Sequence, residues 1–242
     1  ALALLSIAPR RLDGSEAMQS MASHSSAIDA LMREQAQKHQ VNIIGGAFPR
    51  ALSDGSVRNL AGIYHRDGRI DYRSKIHATP SERAVWGVSG GDDADIVDTD
   101  CGPIGVAICY DSEFPELIRH LTLRGAPLLF VPFCTDERQG YLRVRYSCAA
   151  RCVENQIYAV LAGTVGHLPR VLNMDIQYAQ SCILTPCDLP FARDGIATEA
   201  APDSEAVVFA DLDLGLLLEA RERGTVRNLA DRRPDLYKLW QR

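Results

Sequence analysis

The sequence predicts an α/β layered domain built on a mixed sheet, and three observations predict it. Apolar runs of strand length alternate with segments of helical periodicity along most of the 242 residues. Hairpin signals such as Asp67-Gly68 interrupt that alternation, so the sheet is mixed rather than purely parallel. The composition, 46% hydrophobic and 24% charged, is that of an ordinary globular chain, and no internal repeat competes with the layered reading. The length suits one large domain, taken as 1–242, with residues 225–242 as a tail lacking a clear core face.

Ser15 to Gln40 reads as one helix, capped by Ser15, with Ala17, Met18, Met21, Ile28, Leu31 and Met32 at helical spacing. Val41 to Phe48 is a short buried strand, and Arg58 to His65 is a second. The Asp67-Gly68 turn returns the chain as Arg69 to Tyr72. Ser74 to Asp93 is a long irregular stretch of the kind that often carries function. Strands Asp95 to Thr99 and Pro103 to Ile108 follow, then helix Pro115 to Arg124 and strand Pro127 to Pro132. A polar loop leads to helix Tyr141 to Asn155 and strand Gln156 to Gly163. Pro169 to Tyr178 is loop-like, Ser181 to Thr185 and Ala206 to Leu212 are strands, and Leu214 to Arg223 is a short helix.

Bulk properties narrow the partners. A net charge of −5 gives no electrostatic reason to expect nucleic acid or an anionic membrane surface. No apolar run approaches the ~20 residues of a membrane span. The seven cysteines are odd in number and sit mostly in apolar or helical settings, which points to a reducing cytoplasm rather than a disulfide scaffold. Cys148 and Cys152 share a helix face, but the paired ligands of a zinc site are missing, so neither metal nor cofactor is expected. Phosphate-binding glycine loops, the G-x-S-x-G elbow and H-E-x-x-H are all absent.

The chemistry concentrates at Cys109. The apolar run Ile104 to Ile108 ends there, a polar turn Tyr110 to Glu113 follows, and Phe114-Pro115-Glu116 opens a helix. A nucleophile on such a strand tip is rigidly held, and the backbone N–H groups beyond it can meet a developing oxyanion. A free thiol, with a pKa of ~8.5, needs a base or a cation to react well at neutral pH. Lys75 and Glu82, in the long loop, are the candidates: an ammonium beside sulfur and oxyanion, and a carboxylate to orient it.

These residues carry a resemblance. Lys75-Ile76-His77 with Thr79-Pro80 and Glu82, then Cys109-Tyr110-Asp111 with Phe114-Pro115-Glu116, then Arg151 with Glu154-Asn155, resemble the nitrilase superfamily of carbon–nitrogen hydrolases in order and spacing. FVPFCTDERQGYLRVRY and NMDIQYAQS are similar to a subgroup some of whose members carry a GNAT-type acetyltransferase domain ahead of the hydrolase. The resemblance implies a four-layer α-β-β-α sandwich and hydrolysis of a non-peptide carbon–nitrogen bond, a small amide, through a Cys thioester. It implies Cys109 as nucleophile, Lys75 as oxyanion stabiliser, Glu82 as supporting carboxylate and the Tyr110 backbone N–H as second oxyanion donor. Asp111, Arg151, Glu154 and Asn155 take structural places, Arg151 and Glu154 as an ion pair. It also implies a first glutamate, the general base, after a strand that would precede Ala1. The sequence is therefore expected to be N-terminally incomplete, lacking the first strands of the sandwich, and impaired as written.

Thr135, Asp136, Glu137 and Arg138 follow a strand at the sheet end of Cys109 and are candidates to line the pocket, favouring a polar or ionic substrate. Self-association into a homodimer or higher homo-oligomer is expected through helix Tyr141 to Asn155 and the tail. The rival reading is a non-catalytic module lacking its general base. A glutamine amidotransferase is disfavoured by the lack of glycine flanking Cys109 and of a downstream His-x-Glu.

Overall fold

The computed structural model describes residues 12–168 and 176–238. The Ala1 to Pro9 segment and residues 169–175 of the expected loop lie outside the described residues.

The first helical stretch is two helices rather than one, α1 (Gly14–Ser23) and α2 (Ser25–His39), broken at His24. Asp13, not Ser15, caps α1: its carboxylate accepts from the Glu16 N–H at 2.8 Å, and Glu16 reaches back to the Asp13 N–H. The break falls in Ser23-His24-Ser25-Ser26, where hydroxyls compete for backbone groups; Ser23 Oγ already donates to the Ser20 carbonyl. Strands β1 (Ile43–Ala51), β2 (Val57–Tyr64) and β3 (Ile70–Ser74) form an antiparallel meander. At the tight turn between β2 and β3, Gly68 sits at φ 94°, a conformation that glycine adopts without penalty. The predicted irregular stretch contains α3 (Pro80–Ala84) and β4 (Val88–Ser89), and β4 joins β2 in parallel.

The second sheet has the order β12-β11-β8-β7-β6-β5. Its strands are β5 (Val97–Thr99), β6 (Gly102–Val106), β7 (Leu128–Phe133), β8 (Tyr158–Gly163), β11 (Cys182–Leu184) and β12 (Ile196–Glu199). β6, β7 and β8 run parallel, joined by crossover helices α4 (Pro115–Leu123) and α5 (Arg138–Asn155), while the outer strands pair antiparallel. β9 (Gly166–His167) and β10 (Ile176–Gln177) form a separate ribbon, and α6 (Leu214–Arg223) and α7 (Pro234–Tyr237) close the described chain.

Packing sets the layers. Ala61 and Ile63 of β2 meet Val97, Ile104, Val106 and Ile108 between the two sheets. Leu117, Ile118 and Leu121 of α4, with Val144, Cys148 and Cys152 of α5, cover Leu129, Val131 and Leu161 on the outer face of the second sheet. Met18 and Met21 of α1 pack with Val88 on the side of the first sheet. The architecture is thus α-β-β-α.

The segment Ala206 to Leu212 is not a strand, contrary to expectation. Its alternation needs a neighbouring strand, none of the described residues pairs with it, and Val207 and Phe209 are 90% and 86% exposed. Conversely β12, whose Ile-Ala-Thr-Glu carries little apolar signal, becomes a strand by pairing with β11.

Candidate active site

β6 delivers Cys109. Past its last residue the ladder continues with the Ala107 N–H donating to the Phe130 carbonyl at 3.0 Å, and Cys109 then opens a 3₁₀ turn, Cys109–Glu113. Cys109 has φ 51°, a left-handed conformation that costs an L-residue about 1–2 kcal/mol. Several bonds hold it there. The Asp111 N–H donates to the Ile108 carbonyl at 3.1 Å, and Ser112 Oγ donates to the Cys109 carbonyl at 2.7 Å. Arg151 of α5 donates from Nε to the Ser112 carbonyl at 3.3 Å and pairs through Nη1 with Glu154 at 2.5 Å. Asn155 Nδ2 donates to the Arg151 carbonyl at 3.0 Å.

Asp111, fully buried, joins this turn to the loop after β3. Its carboxylate accepts from the N–H groups of Ile76 at 3.2 Å, His77 at 2.8 Å and Ile108 at 3.3 Å, and it bonds His77 Nδ1 at 2.8 Å. His77 lies flat on Phe114 with ring centroids 3.6 Å apart. Residues 34 and 35 positions apart in sequence are thereby fixed to one carboxylate. The neighbouring Lys75 is anchored by its N–H to the Asn59 carbonyl at 2.8 Å and by its own carbonyl, which accepts from Gly91 at 2.8 Å.

The Lys75 and Glu82 side chains are only 3% and 6% exposed, and Nζ donates to Oε2 at 2.6 Å. Glu82 also caps α3. Its N–H donates to Thr79 Oγ1 at 3.2 Å, and its Oε2 accepts the Thr79 N–H at 2.7 Å, with Pro80 pre-setting the first helical residue. The local fold of α3 therefore fixes the carboxylate that fixes the lysine.

Cys109, Lys75 and Glu82 line one cavity of about 310 Å³. Cys109 Sγ lies 3.7 Å from the Cys134 carbonyl, to which it donates. Burial pushes the Cys109 thiol above its ordinary pKa; the Lys75 ammonium, the Cys134 backbone and the Tyr110 backbone each pull it back without offsetting burial. The sequence suggests a lysine-activated thiolate, whereas in this environment desolvation is the larger effect. The Cys134 thiol, on the same cavity, is pushed up to about 11 by burial.

Thr135, Asp136, Glu137 and Arg138 are not among the residues lining this cavity. Thr135 Oγ1 donates to the Tyr178 carbonyl and Arg138 Nη1 to the Tyr178 hydroxyl, both at 2.7 Å, so the chain turns toward the segment before β11 once β7 ends. The residues found in their place are Cys134, Thr164 and Asn59, together with an apolar wall contributed by α1, α2 and Trp86. Among the described residues, Asn59 Oδ1 is buried without a hydrogen-bond partner, and Thr164 Oγ1 sits against the Cys134 thiol without a well-formed bond. Sequence reasoning missed these because only the sheet-to-sheet packing brings them together; the asparagine within a strand pattern was the one available signal. Among the described residues no group of three His, Cys, Asp or Glu side chains could hold a metal ion, and no helix is long and apolar enough to cross a membrane.

Comparison with known proteins gives consistent matches. The family model described as carbon-nitrogen hydrolase matches residues 15–222. "Probable hydrolase YhcX" of Bacillus subtilis (strain 168) is 51% identical over 223 residues, 92% of this chain and 43% of that protein. "Omega-amidase NIT3" of Saccharomyces cerevisiae is 28% identical over 211 residues, 84% of this chain and 68% of that protein. The crystal structure of S. cerevisiae Nit3, a member of branch 10 of the nitrilase superfamily, superposes with a TM-score of 0.70 at 26% identity, over 81% of this chain and 68% of that one. The chain thus spans less than half of the Bacillus relative and about two-thirds of the yeast one.

Proposed function

The chain belongs to the carbon–nitrogen hydrolase family, and on that premise we propose that it hydrolyses a small amide through a thioester on Cys109. Cys109 sulfur attacks the amide carbon. The negative charge that gathers on the carbonyl oxygen meets the Lys75 ammonium and the Tyr110 backbone N–H. The carbon–nitrogen bond breaks, the amine leaves with a proton, and water then cleaves the thioester to release the acid and restore the thiol. Glu82 keeps Lys75 aimed, through the 2.6 Å bond between them. Asp111, bound to both loop and turn, keeps Lys75 and Cys109 in register.

The observation that carries this reading is the buried Lys75–Glu82 pair, 2.6 Å apart, opening on the same cavity as a cysteine held in left-handed backbone. Buried charge and stored strain in one cleft are what an active site retains and a passive core removes. Burial favours the protonated form of the thiol, so attack calls for a base. Glu82 is the one carboxylate among the described residues lining the cavity, and its Oε2 is already committed to Lys75 and to capping α3. General acid–base help is typically worth ~10²–10⁴-fold. That same gap favours the second reading, a non-catalytic module.

A panel of small amides assayed with the protein and its Cys109→Ala variant decides between the two. Turnover lost in the variant supports hydrolysis by Cys109. Turnover retained in the variant ends the nucleophile assignment, and a folded wild type inert toward every amide supports the module.

A further inference from the structure

A second thiol, Cys134, lines the cavity of Cys109, and the hydrolysis has no use for it. The two cysteines occupy matching places in the fold. Cys109 follows β6 and Cys134 follows β7, and these strands run parallel side by side, with Ile104 opposite Leu128 and Val106 opposite Phe130. Extended by the same offset, that register sets Cys109 opposite Phe133, one residue short of Cys134. With ~4.8 Å between strands and ~3.3 Å per residue along them, the two Cα atoms come about 6 Å apart, inside the roughly 4.4–6.8 Å span of a disulfide. The observed contact agrees: Cys109 Sγ lies 3.7 Å from the Cys134 carbonyl.

Both segments are held in place. Ser112 Oγ donates to the Cys109 carbonyl at 2.7 Å. The Phe133 carbonyl accepts from the Thr164 N–H at 3.1 Å and the Thr135 carbonyl from the Tyr178 N–H at 2.8 Å, so the residues on either side of Cys134 are fixed. Cys109 is half-buried and Cys134 exposed, so a small solute in the cavity reaches both. The other cysteines lack this combination. Cys148, Cys152 and Cys182 share one core cluster but are sealed from solvent, and Cys101 and Cys187 are exposed but do not line this cavity.

We infer that Cys109 and Cys134 are a peroxide-driven disulfide site, in which Cys134 resolves the oxidised Cys109. The steps balance. The Cys109 thiolate attacks one oxygen of hydrogen peroxide and the O–O bond breaks. Cys109 becomes a sulfenic acid, and the departing hydroxide takes up the thiol's proton as water. The Cys134 sulfur then attacks the Cys109 sulfur, the S–O bond breaks, and a second water carries off the Cys134 proton. Two thiols lose two electrons in total, and one peroxide is reduced to two waters. Burial raises the pKa of both thiols, and the Lys75 ammonium is the strongest opposing influence at Cys109 but not at Cys134, so peroxide meets Cys109 first. The disulfide withdraws Cys109 sulfur from attack, shields it from the irreversible sulfinic state, and is undone by exchange with a reducing thiol. This goes beyond the hydrolase reading and asks of Cys109 only that it be a reachable thiol.

The test reads covalent mass, so that it stands apart from turnover. The protein carries Cys101→Ala, which leaves Cys109 as the sole cysteine of the tryptic peptide 84–119. It is treated with hydrogen peroxide, blocked with iodoacetamide and digested without reductant. The inference predicts a cross-linked species of peptides 84–119 and 125–138, lighter than their sum by two hydrogens and lost after dithiothreitol. With Cys134→Ser added, the cross-link should vanish and Cys109 should gain two oxygens as sulfinic acid. Recovery of its free thiol by dithiothreitol should then drop from nearly complete to a small fraction. Cys134→Ala should repeat that loss, and an unchanged urea midpoint in either variant shows that the fold is intact. Over-oxidation of Cys109 without a cross-link while Cys134 is present overturns the inference. So does a cross-link to a different cysteine, or equal thiol recovery with and without Cys134. Cys109 left unmodified at a peroxide dose that oxidises the exposed Cys187 overturns it as well. A protein that forms the cross-link but turns over no amide would sink the hydrolase reading alone; turnover by Cys109 with no cross-link would sink this one alone.

Discussion

The two ends of β6 carry the same kinds of residue and treat them in opposite ways. Just before the strand, Arg66 pairs with Asp100 beside Cys101, and the two charged side chains are 41% and 45% exposed. Just after it, Lys75 pairs with Glu82 beside Cys109, at 3% and 6%. Each end borders a cavity of about 310 Å³. The difference lies in what anchors the charges. The backbone around Lys75 and Glu82 is held by α3, by Asn59 and, through the next residues, by Asp111, whereas Arg66 and Asp100 share a single side chain, Asn42, which accepts from the Arg66 N–H and donates to Asp100. A cysteine beside a cation is common, and burial of the cation with its counter-ion separates a reactive arrangement from a solvated one.

The largest test of that contrast exchanges the cysteines. Cys109→Ala should lower kcat/KM for amides by more than ~10³-fold, while Cys101→Ala should leave it unchanged. Next come the cations. Lys75→Met should cut kcat by ~10²–10³-fold, the scale of a lost oxyanion donor, and should destabilise the fold by about 3–5 kcal/mol because Glu82 is left buried and uncompensated. Adding Glu82→Gln to Lys75→Met should recover much of the urea midpoint and none of the activity. Arg66→Met should move neither readily, since its partner is open to solvent. A smaller effect is expected from Asp111→Asn, which weakens the link between loop and turn: about 1–3 kcal/mol in urea unfolding, with kcat falling more than KM rises. The smallest effect is in pH. With the Cys109 thiol raised by burial, its alkylation rate should climb with pH through a midpoint above the ~8.5 of a free thiol. A midpoint below that value would mean that Lys75 outweighs desolvation after all.

Much of this was legible in the sequence, for reasons that differ by region. The strand, turn and helix around Cys109 are local events written in apolar run, polar turn and Pro115, and they appear where the pattern places them. Lys75 and Glu82 could be proposed as partners from their charges in the long loop and from the family resemblance, whereas the short capped helix from Pro80 that positions Glu82 lies within a stretch read as irregular. What could not be read depends on tertiary neighbours. The break at His24 redirects Met32 and Ile28 relative to Met18 and Met21, so one predicted helix face becomes two walls of a cavity. Ala206 to Leu212 has strand periodicity but no strand beside it among the described residues, and β12 has the partner without the periodicity. Cys134 lies past the end of the predicted strand Pro127 to Pro132, and only the 3.7 Å approach of Cys109 to its carbonyl places it in the cavity. Thr135 to Arg138 were assigned by proximity along the chain, and the side chains of two of them, Thr135 and Arg138, bond Tyr178, distant in sequence.

The most direct measurement is to trap the covalent intermediate. The protein is mixed with hexanamide, quenched in acid within one turnover, digested and analysed by mass spectrometry. The account predicts a hexanoyl mass on the peptide containing Cys109, absent in Cys109→Ala and diminished in Lys75→Met. Turnover of the amide with no acyl mass on that peptide, or with the acyl group on another of the seven cysteines, would contradict it.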